Sequence, residues 1–309
     1  MPEATPLANW IGFHLFILAL LCVELIIARR RGSAHITSTA IFTAVLWITA
    51  AFAFAAFIYR ELGGPYAIQY ISGYAIEQAL SVDNLFVFLL LFRLFRIDRT
   101  TQPRVLFWGV AGAIVMRGLF IAGGLGLLSR FDWITYFFAA ILLVAAIRLL
   151  LPRQPEDETH YPSWLRWLTK LQPVSPRLDR FFVQENGRRM VTVLFVALIA
   201  IEVTDVVFAL DSIPAVLSIT RHPFLAYTSN IMAVMGLRSL YFLLVAALAR
   251  LRWVHYGIAA LLAFAALKML LARVVDVTPL ESLTVIATLL AITIAASLLA
   301  PSPPATALR

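Results

Sequence analysis

The sequence predicts an all-α polytopic membrane protein with about nine transmembrane helices. Three observations carry this. Hydrophobic residues make up 61% of the 309-residue chain and charged residues 14%, against about 45–50% and about 25% in soluble domains. The mean hydropathy is +0.88. Apolar runs of about 20 residues, the length that crosses a hydrocarbon core as a helix, recur along the whole chain. So few charges cannot build a water-solvated surface, which excludes a soluble enzyme. The single cysteine, Cys22, excludes a disulfide framework, a Cys-based zinc site and an iron–sulfur cluster.

The segments are Asn9–Ala28, Ile36–Tyr59, Pro65–Phe92, Val105–Ser129, Trp133–Leu151, Val191–Ile219, Phe224–Ala249, Trp253–Ala272 and Ser282–Ala300. The first has no basic stretch ahead of it and is expected to remain as a helix, not to be cleaved. Between the segments the basic residues alternate. Arg29–Arg31 follow the first, Arg93, Arg96, Arg99 and Arg104 the third, and Arg250 and Arg252 the seventh. The long connection after the fifth adds Arg148, Arg153, Arg166, Lys170, Arg177, Arg180, Arg188 and Arg189, and Arg309 ends the chain. The other connections hold only Arg60, Arg130, Arg221 and Arg273. By the positive-inside rule the N-terminus is expected outside and the C-terminus in the cytoplasm, in a bacterial-type inner membrane. This distribution also turns the net charge of +8 into a statement about the lipid bilayer, with no nucleic-acid partner expected.

The chain divides into two N-terminal helices (1–64), a three-helix unit (65–151), a cytoplasmic linker (152–190), a second three-helix unit (191–273) and a last helix with a tail (274–309). In the linker, prolines break helices. Between them Trp164, Trp167, Leu168 and Leu171 share one face, flanked by Lys and Arg, as in an interfacial amphipathic helix.

Segments five and eight align without gaps. Trp133, Tyr136 and Arg148 match Trp253, Tyr256 and Lys268, among several Ala and Leu matches. Segments four and seven share Arg117-Gly-Leu-Phe against Arg238-Ser-Leu-Tyr. In segments three and six an acid precedes an Asp by six residues: Glu77 and Asp83, then Asp205 and Asp211, followed by Asn84 and Ser212. Spans 3–5 therefore repeat as spans 6–8. A three-span unit reverses direction on repetition, which gives the inverted repeat of secondary transporters.

Five carboxylates lie inside spans: Glu77, Asp83, Glu202, Asp205 and Asp211. Arg117 and Arg238 lie at similar depth. Each charge costs roughly 3 kcal/mol at a helix centre, so the groups must pair, face water or bind something. The acids outnumber the two arginines, and a divalent cation would remove most of the excess. On a regular helix Glu77 and Asp83 stand about 120° apart, so one small ion is expected to need local unwinding. Pro214, whose ring clashes with the carbonyl of Leu210, gives a reason for it in segment six. Carboxylates, an amide and a hydroxyl are hard ligands, suited to Mg²⁺, Ca²⁺ or Mn²⁺. The histidines are scattered, without the H-E-x-x-H of a metalloprotease. Arg117 and Arg238 read as structural counterions. Asn230 reads equally as a helix-bridging amide or a ligand. Glu24, near a helix end among basic residues, reads as a snorkelling ion pair, and Lys268, near another helix end, as a group that can snorkel. The alternative for the acids together is an ion-pair network that only holds the bundle.

The strings Glu77-Gln-Ala-Leu-Ser-Val-Asp83-Asn84-Leu-Phe and Glu202-Val-Thr-Asp205-Val-Val-Phe-Ala-Leu-Asp211-Ser-Ile-Pro214-Ala-Val resemble the TerC integral membrane family, named for tellurium resistance. Thr228-Ser-Asn230 and Gly236-Leu-Arg238-Ser-Leu-Tyr241 resemble its next helix. The likeness runs from about Tyr66 to Ala272. It implies a manganese exporter of the lysine-exporter-like superfamily, with Glu77, Asp83, Asp205 and Asp211 as the acidic site and Asn84 and Ser212 beside them. The expectation is a non-enzymatic secondary transporter of Mn²⁺, with proton exchange, no organic cofactor, and Glu202, Asn230, Arg117 and Arg238 in support. The alternative is an assembly or metalation factor for membrane proteins. A tellurite oxyanion is a poor ligand for an acidic cluster.

Overall fold

The computed structural model describes residues 5–31, 36–123, 132–150, 174–175, 177–185, 187–248, 253–271, 274–275 and 277–299. Among them are nine helices: α1 (Leu7–Arg31), α2 (Ile36–Glu61), α3 (Gly64–Leu94), α4 (Gln102–Gly123), α5 (Asp132–Leu150), α6 (Val193–Ile219), α7 (Pro223–Leu248), α8 (Val254–Leu271) and α9 (Pro279–Leu299). They fall on the nine apolar segments. Seven of them, all but α5 and α8, are long and apolar enough to cross a membrane. The other two are the shortest, at 19 and 18 residues, about 27–29 Å at 1.5 Å per residue. They pack against each other along their length. The protein is an all-α polytopic membrane protein.

Burial follows composition. α7 is apolar on all sides and is buried without a break from Phe224 to Leu237, which marks a central helix. α3 is the second core element, with every residue from Asp83 to Phe92 buried. α3 packs on α6, α7 and α2; α4 packs on α6 and α7; α9 lies against α8 and α3. α1 and α9 sit at the edge. Leu15 and Leu18 of α1 and Ile292 of α9 are more than half exposed, as side chains facing lipid should be.

Helix ends are set locally. α3 begins after Gly63, whose φ of 100° is a left-handed value suited to glycine, and has a proline in its first turn. After Leu94 the chain turns at Arg96 (φ 53°), with the amide of Ile97 donating back to the carbonyl of Phe92 at 2.9 Å. This closes the short connection to α4. The hydroxyl of Thr192 accepts the amide of Phe195 and caps α6.

The helical stretch expected at Trp164–Leu171 lies outside the described residues. The remainder of that connection adds something the helical reading does not anticipate, a three-stranded sheet of β1 (Val174–Ser175), β2 (Phe182–Glu185) and β3 (Arg188–Thr192). β3 is central, parallel to β1 and antiparallel to β2, with Phe182 opposite Val191. Arg104 at the start of α4 donates to the carbonyl of Asp179 (2.6 Å) and lies over the ring of Phe181, tying the sheet to the bundle.

Candidate metal centre

α3, α6 and α8 meet around a cavity of about 10 Å³, the space of roughly one water molecule or a small ion. α3 contributes Glu77, Leu80, Ser81, Asp83 and Asn84; α6 contributes Phe208 and Ser212; α8 contributes Ala265, Lys268 and Met269. Glu77, Ser81, Asp83, Asn84 and Ser212 are all buried. Four oxygens of this wall have no hydrogen-bond partner among the described residues: Glu77 Oε2, Ser81 Oγ, Asn84 Oδ1 and Ser212 Oγ. A buried polar atom without a partner costs about 1–3 kcal/mol, and four on one small cavity are far more than packing requires. Two carboxylates, an amide oxygen and two hydroxyls are the donor set of a hard cation. Lys268 Nζ stands 3.4 Å from Asp83 Oδ2 and 3.3 Å from Ser282 Oγ, so Asp83 meets an ammonium at the edge of the cavity.

Four of the expected ligands, Glu77, Asp83, Asn84 and Ser212, are thus brought together. Ser81 joins them. Its signal was its place one helical turn after Glu77, on the same face. Asp211 lies in α6, and its side chain lies outside the described residues. Among the described residues, no three His, Cys, Asp or Glu side chains group closely enough to hold a metal ion. The cavity's oxygens are therefore a mixed set, only partly carboxylate.

Asp205 and Asn230 are held elsewhere. Arg117 is fully buried between α3, α6 and α7. Its Nε and Nη2 donate to the two oxygens of Asp205, both at 3.0 Å, in a bidentate pair. Its Nη1 donates to Asn230 Oδ1 at 2.9 Å and to Glu77 Oε1. Glu77 is the link: one oxygen faces Arg117 and the other faces the cavity. Arg117 thus pairs with both acids, and the Asn230 amide bridges α7 to α4 through it. Glu202 is half-buried on the α4 side of α6, where a Cβ on Gly112 would overlap its carboxylate. Its position is explained by that glycine.

Three sequence expectations change. Glu24 forms the expected ion pair but does not snorkel. It is buried, 2.5 Å from Arg238 Nη2, and accepts the indole N–H of Trp47 at 3.1 Å. Arg238 is consequently committed to α1, away from the acidic site. Lys268 turns inward to Asp83, because α3 and α9 close over the end of α8 where it stands. Finally, α6 runs helical through Pro214, so the local unwinding expected there is absent. The cavity lies at a three-helix junction and meets side chains from a wide arc of α3. Gly73 serves close packing: a Cβ there would come within 2.8 Å of Ser229 Oγ on α7.

The comparisons with known proteins agree with this architecture. Residues 62–303 match the family model of the integral membrane protein TerC family, which extends the likeness read from the motifs into α9. An "Uncharacterized membrane protein STKORF319" of Myxococcus xanthus is 39% identical over 292 residues, covering 94% of this chain and 92% of its own length. The "Putative membrane-bound redox modulator Alx" of Escherichia coli K12 is 39% identical over 278 residues, 86% of each chain. An "Uncharacterized membrane protein" of Rickettsia bellii is 34% identical over 293 residues, 94% of this chain and 97% of its own. No solved structure matches. With most of its length matched by the family model and its acidic strings on two of the three helices that line the cavity, the chain belongs to the TerC integral membrane protein family.

Proposed function

We propose that the protein is a secondary transporter that exports a hard divalent cation, Mn²⁺, from the cytoplasm through the α3–α6–α8 cavity. The observation that carries this reading is the set of four buried oxygens without partners among the described residues on one cavity wall, beside the Asp83 carboxylate. Glu77, Ser81, Asp83, Asn84 and Ser212 are the ligands. Asp205, Arg117 and Asn230 hold Glu77 in place. A dication entering the cavity competes with the Lys268 ammonium for Asp83, and the returning ammonium helps to expel it. Protons serve as counter-ions on the carboxylates during the return. The two three-helix units, 65–151 and 191–273, are an inverted pair with the cavity at their junction. In support, each helix packs against its sequence equivalent: α3 on α6, α4 on α7 and α5 on α8. The N-terminus lies outside the inner membrane and the C-terminus in the cytoplasm.

The test is Mn²⁺ efflux from liposomes that contain only this protein, for wild type and Asp83→Asn. The expected result is efflux by the wild type, accelerated by an opposing proton gradient, and little by the variant. Equal flux from both would place the pathway elsewhere; equal flux with and without the gradient would reject the proton coupling alone. A metalation or assembly factor is the competing reading, and it predicts Mn²⁺ binding without flux. The redox role in the name of the Escherichia coli relative has little to draw on here, since one exposed cysteine, Cys22, cannot form an internal disulfide.

A further inference from the structure

At the end of the bundle where α1 finishes and α4 begins, α1 and α2 stand apart from α4, while the Glu24–Arg238 pair and the 2.7 Å Ser239–Thr43 hydrogen bond hold them to α7. The gap is a cavity of about 530 Å³. Arg29, Arg99 and Arg104 line it together with the Glu24–Arg238 pair. That pair neutralises itself at 2.5 Å. The other three guanidinium groups carry uncompensated charge: among the described residues none of them joins an ion pair. Arg104 is oriented by the Asp179 carbonyl and the Phe181 ring, neither of which cancels its charge. Thr39 Oγ1, also on this cavity, is buried without a partner among the described residues.

Three net positive charges repel a metal cation, so this cavity is no part of the cation's route. They suit an anion with several oxygens, because an arginine fork matches phosphate oxygens two at a time. The cavity is much larger than a phosphate ion, and most of its wall is apolar, with Phe107 and Phe242 on it. Its rim lies at helix ends, beside the lipid-exposed Leu25 and Ile26 of α1. A ligand with one anionic head and an apolar tail satisfies both halves. Basic pockets between transmembrane helices take anionic headgroups in this way.

We propose that this cavity binds an anionic phospholipid, with its phosphodiester among Arg29, Arg99 and Arg104 and an acyl chain along Phe107 and Phe242. The lipid would then join α1 and α2 to α4 on a flank where protein packing is thin.

The experiment uses the full-length protein in nanodiscs and in mild detergent. Binding of headgroup-labelled phosphatidylglycerol is measured against phosphatidylcholine, with inorganic phosphate as a third arm. The expected result is preferential binding of phosphatidylglycerol that millimolar phosphate does not displace. Arg29→Gln with Arg99→Gln should weaken it by about 30-fold, at roughly 1 kcal/mol per basic residue, while the thermal midpoint without lipid stays at the wild-type value. Arg99→Lys, which keeps the charge on an exposed side chain, should keep most of the preference even if the double variant folds poorly. Equal binding of the two lipids, displacement by phosphate, or full binding by a folded double variant would each overturn the assignment.

Discussion

Replacing Arg117 with Met tests the buried charge cluster most directly. Methionine keeps much of the apolar stem and removes only the guanidinium. Four hydrogen bonds disappear: two to Asp205, one to Asn230 and one to Glu77. Charge-assisted bonds count for about 1.5–3 kcal/mol each in isolation, but adding them overstates the loss, because orphaned carboxylates take up protons. Breaking a buried pair by removing one partner costs about 3–5 kcal/mol. Arg117 has no exposure to relieve this, so Arg117→Met should lose stability in that range, about 10²- to 10⁴-fold in the folded-to-unfolded ratio. The assay is reversible denaturant unfolding in detergent micelles, followed by tryptophan fluorescence. The same reasoning makes a second demand. The triple variant Glu77→Gln, Arg117→Met, Asp205→Asn removes all three charges, so it should be more stable than Arg117→Met alone. A single variant within about 1 kcal/mol of wild type refutes the account, as does a triple variant less stable than the single one.

Lys268→Met removes the ammonium 3.4 Å from Asp83. Under the proposed function it should raise Mn²⁺ affinity about tenfold or more in calorimetric titration and slow efflux from liposomes; a fall in affinity would show that Lys268 assists binding. Gly257→Ala would place a Cβ 2.5 Å from Thr293 Oγ1 and force α8 from α9, at a cost of about 1–3 kcal/mol. Adding Thr293→Ala should recover part of that in the same unfolding assay. Trp47→Phe keeps the ring but loses the 3.1 Å bond to Glu24, and a loss of about 1–3 kcal/mol is expected, whereas a neutral substitution would mean that Arg238 alone satisfies Glu24.

The helices were legible because each apolar segment reports its own burial in oil, and the backbone hydrogen bonds of a helix close within four residues. The cavity's α3 face was partly legible for the same reason, since Glu77, Ser81 and Asn84 recur at helical spacing. The short strands Val174–Ser175, Phe182–Glu185 and Arg188–Thr192 were not. They are two to five residues long and depend on partners in the same connection, with no apolar period to announce them. The choice of counterions was not legible either. Glu24 and Arg238 are 214 residues apart in the chain, and Arg117 and Asp205 are 88 apart; composition says only that such charges need partners.

Sequence alone determined that the chain lives in a membrane, how its segments divide it, and that α3 and α6 carry more acid than nearby base can cancel. These follow from solvation, which acts on each segment separately. Tertiary structure decided which acid meets which base. It consigned Asp205 and Asn230 to Arg117, drew Lys268 to Asp83, and left Glu77, Ser81, Asn84 and Ser212 with unpartnered oxygens on one cavity. The physical reason is range: desolvation of a charge is felt wherever it is buried, but the interaction that relieves it acts over a few ångströms and exists only once helices distant in sequence have packed.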